Sequence, residues 1–389
     1  MKYKIILLAY ILIISISSAK AEKLDIYYSG FSFTNTYESN KANVKYSSLL
    51  TKEIDPKTNL DIISSALKKN LEKNNFINVN LVFDELINLE KNLDNAIVMS
   101  VALQSEQFAQ EYNYATKKYN GFYDSYFQII FYDFSSKNLV ASIPFDFEIS
   151  MLSEKEFTQE EIIKRIKNFY INDNPFSDLV EKINNHEIKK KYDLRIGVTG
   201  VYIQDRAFDE MPENAKKFED AYKNLVAQIF SKWLSKTHNV AIVPYTEGQV
   251  IGNAMKLKFV QTDKIYSINL PSPDFHVHII LQGFKKVLAQ TSATEELYLY
   301  GSFINLKIFQ PDLSKVYFED NLRGVTKVKI PKDQSEVNEW RKYNYNMEIL
   351  FDKFSKNITK PESKWIKETT EKNIKKELQD LKKIIETLK

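Results

Sequence analysis

Read by the spacing of its apolar side chains, the chain falls into one order of elements that occurs twice. The first series opens with an apolar segment, Leu24 to Phe33. Leu60, Ile63, Leu67 and Leu71 follow at spacings of three and four, which predicts a helix with one buried face. Ile77, Val79, Leu81 and Phe83 then alternate with Asn78 and Asn80, the period of a half-buried strand. Further strands are predicted over Ala96 to Gln104, Tyr126 to Phe134 and Leu139 to Phe147, the last two joined by Ser135-Ser136-Lys137-Asn138. Two helical segments close the series: Thr158 to Tyr170, opened by a capping box of Thr158 and Glu161, and Pro175 to Ile183.

The second series repeats the order. Leu194 to Ile203 is its first strand, and a helix from about Asn214 to Leu234 places Phe218, Ala221, Tyr222, Leu225, Ile229 and Trp233 on one face. Strands are predicted over Val240 to Val243, Phe275 to Gln282, Leu297 to Phe309 and Lys315 to Leu322, before a helix from Ser335 to about Phe354. Ile280-Leu281-Gln282 lines up with Ala102-Leu103-Gln104, and Asp312-Leu313-Ser314 with Asp133-Phe134-Ser135. The fold class that follows is α/β (α+β): two tandem, duplicated mixed-sheet domains, each with a main helix packed on its sheet. Their expected bounds are 22–190 and 191–358, with an extra hairpin in the second near 247–273 and a C-terminal amphipathic helix over 359–389. In that last helix Trp365, Ile374, Leu378, Leu381, Ile385 and Leu388 form an apolar stripe among lysines.

The N-terminus changes how composition and charge are read. Met1-Lys2-Tyr3-Lys4 precedes an apolar run from Ile5 to Ile14, and small and polar residues lead to Ala19-Lys20-Ala21. This is the order of a secretory signal, 1–21, with cleavage expected after Ala21. The other reading, a retained anchor, needs roughly 20 apolar residues, and Ser15, Ser17, Ser18 and Lys20 end the run too early. The full chain has 54 Lys and Arg against 51 Asp and Glu; removing Lys2, Lys4 and Lys20 leaves 51 against 51, so the net +3 belongs to the leader. A neutral mature chain gives no electrostatic reason to expect a nucleic acid. A local excess remains from Ser355 to Lys389, with ten lysines against six acids.

Few residues are suited to catalysis. With no Cys, thiolate chemistry, disulfides and a lipidated cysteine are excluded, and none of the nine glycines opens a nucleotide-binding loop. There is no G-x-S-x-G around a serine. His276 and His278 are two apart on a predicted strand and share a face with Asp274, which is the spacing that presents two imidazoles and a carboxylate to one metal ion. Asp146 and Glu148 also share a strand face, opposite Phe145, Phe147 and Ile149, and are read as its solvated side. The aromatic series Phe122, Tyr123, Tyr126, Phe127, Phe131 and Tyr132 has no surrounding excess of Lys or Arg and is read as packing.

The order strand, helix, strand, strand, long antiparallel hairpin and closing helix resembles a group of bacterial envelope domains. These are the TolB N-terminal domain, the periplasmic domain of the curli secretion pore subunit, and the lipoprotein activators of penicillin-binding proteins. The residues that carry the resemblance are Asp274-Phe275-His276-Val277-His278-Ile279-Ile280-Leu281-Gln282-Gly283 and Ile304-Asn305-Leu306-Lys307-Ile308-Phe309-Gln310-Pro311-Asp312. The chain departs from the group in having no cysteine for lipidation and no pore-forming segments. The resemblance implies a non-enzymatic binding or assembly role. Expected, then, is a periplasmic scaffold or adaptor with no cofactor, binding envelope proteins in envelope assembly or transport. Trp365, Ile374, Leu378, Leu381 and Ile385 are the candidate interaction residues, for a protein groove or for peripheral membrane contact. The alternatives are a metal-dependent hydrolase using His276 and His278, and a ligand-binding protein with its site between the two domains.

Overall fold

The computed structural model describes residues 23–34, 41–83, 96–245, 254–312, 314–334 and 337–389. The expected leader and residues 247–253 of the expected hairpin region lie outside the described residues.

The first half runs β1 (Leu24–Thr34), α1 (Ser47–Leu50), a short pair β2 (Ile54–Asp55) and β3 (Leu60–Asp61), then α2 (Ile62–Glu72) and β4 (Val79–Val82). A long meander follows, β5 (Ile97–Asn113), β6 (Lys118–Asp133) and β7 (Leu139–Ser153), and then α3 (Gln159–Asn172) and α4 (Leu179–Asn185). Asp61 caps α2 by accepting from the Ile63 and Ser64 amides at 3.1 and 3.0 Å, and Thr158 caps α3 through the Glu161 amide at 3.2 Å. The second half runs β8 (Ile196–Ile203), the short helices α5 (Asp205–Asp209) and α6 (Glu213–Lys217), α7 (Glu219–His238) and β9 (Ile242–Val243). It continues with β10 (Ala254–Phe259), β11 (Ile265–Asn269) and a second meander, β12 (Phe275–Thr291), β13 (Glu295–Gln310) and β14 (Lys315–Pro331). α8 (Glu339–Thr359), α9 (Ser363–Thr369) and α10 (Lys375–Thr387) end the chain.

The two halves share one strand order, β4-β1-β5-β6-β7 and β9-β8-β12-β13-β14. In each, the first three strands are parallel and the last three antiparallel. Both meanders also slip register at the same point, between Leu103 and Ser105 and between Leu281 and Gly283. Gln104 and Gln282, which align in the sequence, are the residues left over at these bulges.

The extra hairpin corrects its expected place. It does not extend the second sheet but joins the first: β10 runs antiparallel to β1, with Ser32 opposite Phe259 and Thr34 opposite Leu257. β4 covers β1 only from Leu24 to Tyr27, so the remainder of that edge would expose unpaired backbone groups, and β10 pairs them. Met255, Leu257, Phe259 and Ile268 become buried against Val98, Ala102 and Ile130 of the first sheet.

The layers follow from which face each sheet buries. α2, α3 and α4 cover one face of the first sheet, where Met99, Val101, Leu103 and Phe127 meet Ile63, Leu67, Ile166 and Phe176. α7 and α8 cover the corresponding face of the second sheet, where Val277, Ile279, Leu281 and Ile304 meet Val226, Phe230, Met347 and Phe351. α7 also lies against the other face of the first sheet, through Gln228 and Lys232, giving the order helices, sheet, helices, sheet.

The C-terminal stripe is a second correction. Trp365, Ile374, Leu378, Leu381 and Ile385 are all buried in the second half's own core. α8 and α10 both pack against β14 and against each other; Thr370 bridges Leu322 and Arg323 Nε donates to the Glu368 carbonyl at 2.6 Å. A stripe covered in this way is not open to an external groove or membrane. Among the described residues no helix is long and apolar enough to cross a membrane.

Candidate functional site

The polar groups that the fold gathers lie between the halves, around α7. From Val226 to Ser235 nearly every α7 residue is buried, including Gln228 and Lys232, because sheets flank the helix on two sides. Two buried polar side chains one turn apart need partners. Gln228 accepts from Gln128 Nε2 at 3.0 Å and donates to the Phe127 carbonyl at 2.9 Å. Gln128 in turn donates to Gln104 at 2.8 Å and accepts from Ser142 at 2.8 Å, which ties the first bulge into the interface. Lys232, only 5% exposed in its side chain, sits 2.8 Å from Asp146 and 2.7 Å from Glu348. Trp233 donates to the same Glu348 oxygen at 2.6 Å.

A second ion cluster lies further along. Arg341, on α8, spans Asp124 at 2.9 Å and Glu148 at 2.7 Å and stacks 4.1 Å from the Phe122 ring centroid. Burial works against the Lys232 ammonium, but Asp146 and Glu348 outweigh it and hold its pKa above the ordinary value. Burial pushes Glu348 above the usual carboxylate range. Burial, opposed by Arg341 and reinforced by Glu148, pushes Asp124 up to about 6.

Between the two ion clusters is a cleft of about 520 Å³, lined by these charged groups and by Trp233, Trp340, Tyr345 and Asp352. Its size and its mixture of aromatic and polar walls suit a small molecule. Asp352 Oδ1 on its wall is buried without a hydrogen bond.

The candidate metal residues lie elsewhere, on the opposite face of the second sheet. His276 and His278 do share a face, half-buried around Phe309, with ring centroids 5.5 and 4.8 Å from it. His276 Nδ1 lies 3.1 Å from Thr199 Oγ1, while Asp274 accepts from the Arg195 amide at 2.8 Å. Burial, then His276 and Lys307, lower the His278 pKa. Among the described residues no group of three or more His, Cys, Asp or Glu could hold a metal ion. His238 donates from Nε2 to the Ser355 carbonyl at 2.9 Å, and His186 Nδ1 donates to the Lys182 carbonyl at 2.7 Å, so both are engaged in core contacts.

Asp146 and Glu148, read as a solvated strand face, are instead the acceptors of Lys232 and Arg341. Gln228, Lys232, Arg341 and Asp124 were not singled out from the sequence. The available signal was Gln228 and Lys232 set one turn apart within the apolar run Val226-Ala227-Ile229-Phe230.

No family model matches the chain, and no curated protein matches it. The expected TolB-like family is therefore not shown. Among solved structures, a Helicobacter pylori protein described as a neuraminyllactose-binding hemagglutinin homolog is 16% identical, with a TM-score of 0.24, covering 43% of this chain and 85% of its own. A minor lipoprotein from Acinetobacter baumannii is 10% identical, with a TM-score of 0.21, covering 46% of this chain and 99% of its own. Both likenesses are too loose to carry a statement of fold or role.

Lys232→Met strands two carboxylates in the interface. Asp146 keeps 34% of its side-chain exposure, which limits the cost, so a loss of about 2 to 3 kcal/mol is expected in urea unfolding. Lys236→Met, at an exposed position, should stay within about 0.5 kcal/mol, and equal effects of the two would contradict this account. For Asp124 the folded chain holds the proton more tightly than the unfolded one. Its contribution to stability is therefore full below the ordinary value of 3.8 and is lost as the pH rises to about 6. Carboxyl-carbon NMR should place the Asp124 midpoint near 6, lower in Glu148→Gln and higher in Arg341→Gln. A midpoint near 4 in all three chains would be the contrary result.

Proposed function

We propose that the protein is an exported, non-enzymatic adaptor of the bacterial envelope that works by holding other proteins. The observation that supports this most is how the ionisable groups are used. Lys232, Arg341, Asp124, Asp146, Glu148 and Glu348 are paired with one another, and every pair but Lys232–Glu348 crosses between the halves. The histidines are engaged in packing or hydrogen bonds. Hydroxyls meet imidazoles at Ser235–His186 and Thr199–His276, 3.1 Å each, but Ser235 is fully buried and donates to the Val240 carbonyl, and neither pair lines the cleft between the ion clusters. Export rests on the sequence of residues 1–21, and the envelope setting on the resemblance described above.

Blue-native electrophoresis of a mild-detergent envelope extract tests the reading. The protein should migrate with other polypeptides in an assembly well above its own 45.5 kDa. Migration as a free monomer from fresh extract would overturn it.

The cleft favours a second reading, a small ligand held between the halves, because its roughly 520 Å³ are walled by aromatic rings and charged groups from both halves. A ligand present at about 100 times its dissociation constant stabilises the fold by about 2.7 kcal/mol, which a thermal-shift panel of amines, sugars and amino acids detects as several degrees. A flat response across the panel rejects this second reading.

A further inference from the structure

The two sheets treat the same face differently. The first sheet's face bearing Gln104, Tyr126 and Gln128 is covered by the second half's helices α7 and α8. The corresponding face of the second sheet bears Ile280, Gln282 and Phe303; α5 meets it through Arg206 beside Gly283 and α9 meets its β14 edge through the Glu368 carbonyl on Arg323, and α7 and α8 lie on the other side. Val287 and Val325 on this face are 40% and 52% exposed.

The matching bulges allow the two faces to be compared position by position. With Leu103 set on Leu281, Gln107 corresponds to Lys285, and cross-strand register carries Asp124 onto Gly301, Asp146 onto Arg323 and Glu148 onto Val325. The three carboxylates that receive Lys232 and Arg341 are thus replaced by a glycine, an arginine and a valine. Lys327 and Lys329 follow on the same face, opposite Leu299 and Leu297. Over the whole face Lys285, Lys307, Arg323, Lys327, Lys329 and Arg206 stand against Glu295, Glu319 and Glu371.

Resting on the adaptor reading, we propose that the open part of this face, around Lys285, Val325, Lys327 and Lys329, docks a helical layer of another protein, shaped like α7 and α8 but bearing carboxylates where they bear Lys232 and Arg341. The chain's own exchange of a helix layer onto a sheet face supplies the geometry, and the reversed sign supplies the selectivity. A second copy fits poorly. The outward helices it would offer, α2 and α3, carry Lys68, Lys69, Lys164, Arg165 and Lys167 against Glu72, Glu160 and Glu161, so like charges would meet.

The test is photo-crosslinking in the cells that make the protein, with the full chain carrying benzoylphenylalanine in place of Val325. One discrete adduct with a second polypeptide is expected, its cross-linked segment helical and acidic. Its yield should fall about tenfold or more in a Lys285→Glu, Lys327→Glu, Lys329→Glu chain, as a gap of 1.4 kcal/mol or more requires, and be retained in the matching Arg chain. These three side chains are exposed, so unchanged thermal unfolding checks that the fold is intact. A dimer of the chain, a phospholipid adduct, no adduct, or a yield insensitive to charge reversal each overturns the proposal. If the charge-reversed chain still migrates in the large assembly, the docking face is wrong and the adaptor reading stands. A chain that is monomeric before any substitution overturns both.

Discussion

The molecule is organised around a helix that is packed by a sheet on each of two sides. α7 is packed by the second sheet through Val226, Phe230 and Leu234, and by the first sheet through Gln228 and Lys232. The polar groups that such a helix buries must be satisfied, and for Gln228 the partners come from a strand meander about a hundred residues earlier in the chain. The interface is therefore defined by directional bonds as well as by apolar area. Gln128 can donate to Gln104 and Gln228 together only when both sheets hold their places. Buried groups of this kind fix a particular arrangement even where their net contribution to stability is small.

The same constraint explains why the halves trade segments. β10 and β11 leave the second half to pair the open part of the β1 edge, and the first half's hairpin tip reaches back, the Tyr114 amide donating to Gln334 at 3.0 Å. Both exchanges tie one half to the other, so sliding one sheet over the other would break backbone pairing as well as ion pairs. The outer face of the second sheet takes part in none of this, and there the charge pattern is reversed and the apolar side chains are exposed.

Much of the architecture was legible from periodicity, because strands buried on one face alternate and capped helices announce their starts. The meanders, the Thr158 cap and the alignment of Gln104 with Gln282 were read in this way. Where reading failed, the information lay in the partner. Phe218 and Leu225 were assigned to the buried face of one helix from about Asn214, yet the chain breaks into α6 and α7 at Phe218, which leaves that ring 47% exposed. The hairpin was legible as a hairpin, but the edge it pairs lies more than two hundred residues away in sequence. The C-terminal stripe was legible as apolar, and only the position of α8 and β14 shows that the chain itself covers it. Asp146 and Glu148 look like a solvated face until Lys232 and Arg341 are placed above them.

If α7 is a shared layer, the halves cannot unfold independently. Scanning calorimetry of the mature chain measures this directly, by comparing the calorimetric enthalpy with the van't Hoff enthalpy. The account predicts one transition in which the two enthalpies agree. Two separable transitions, one for each sheet, would contradict it.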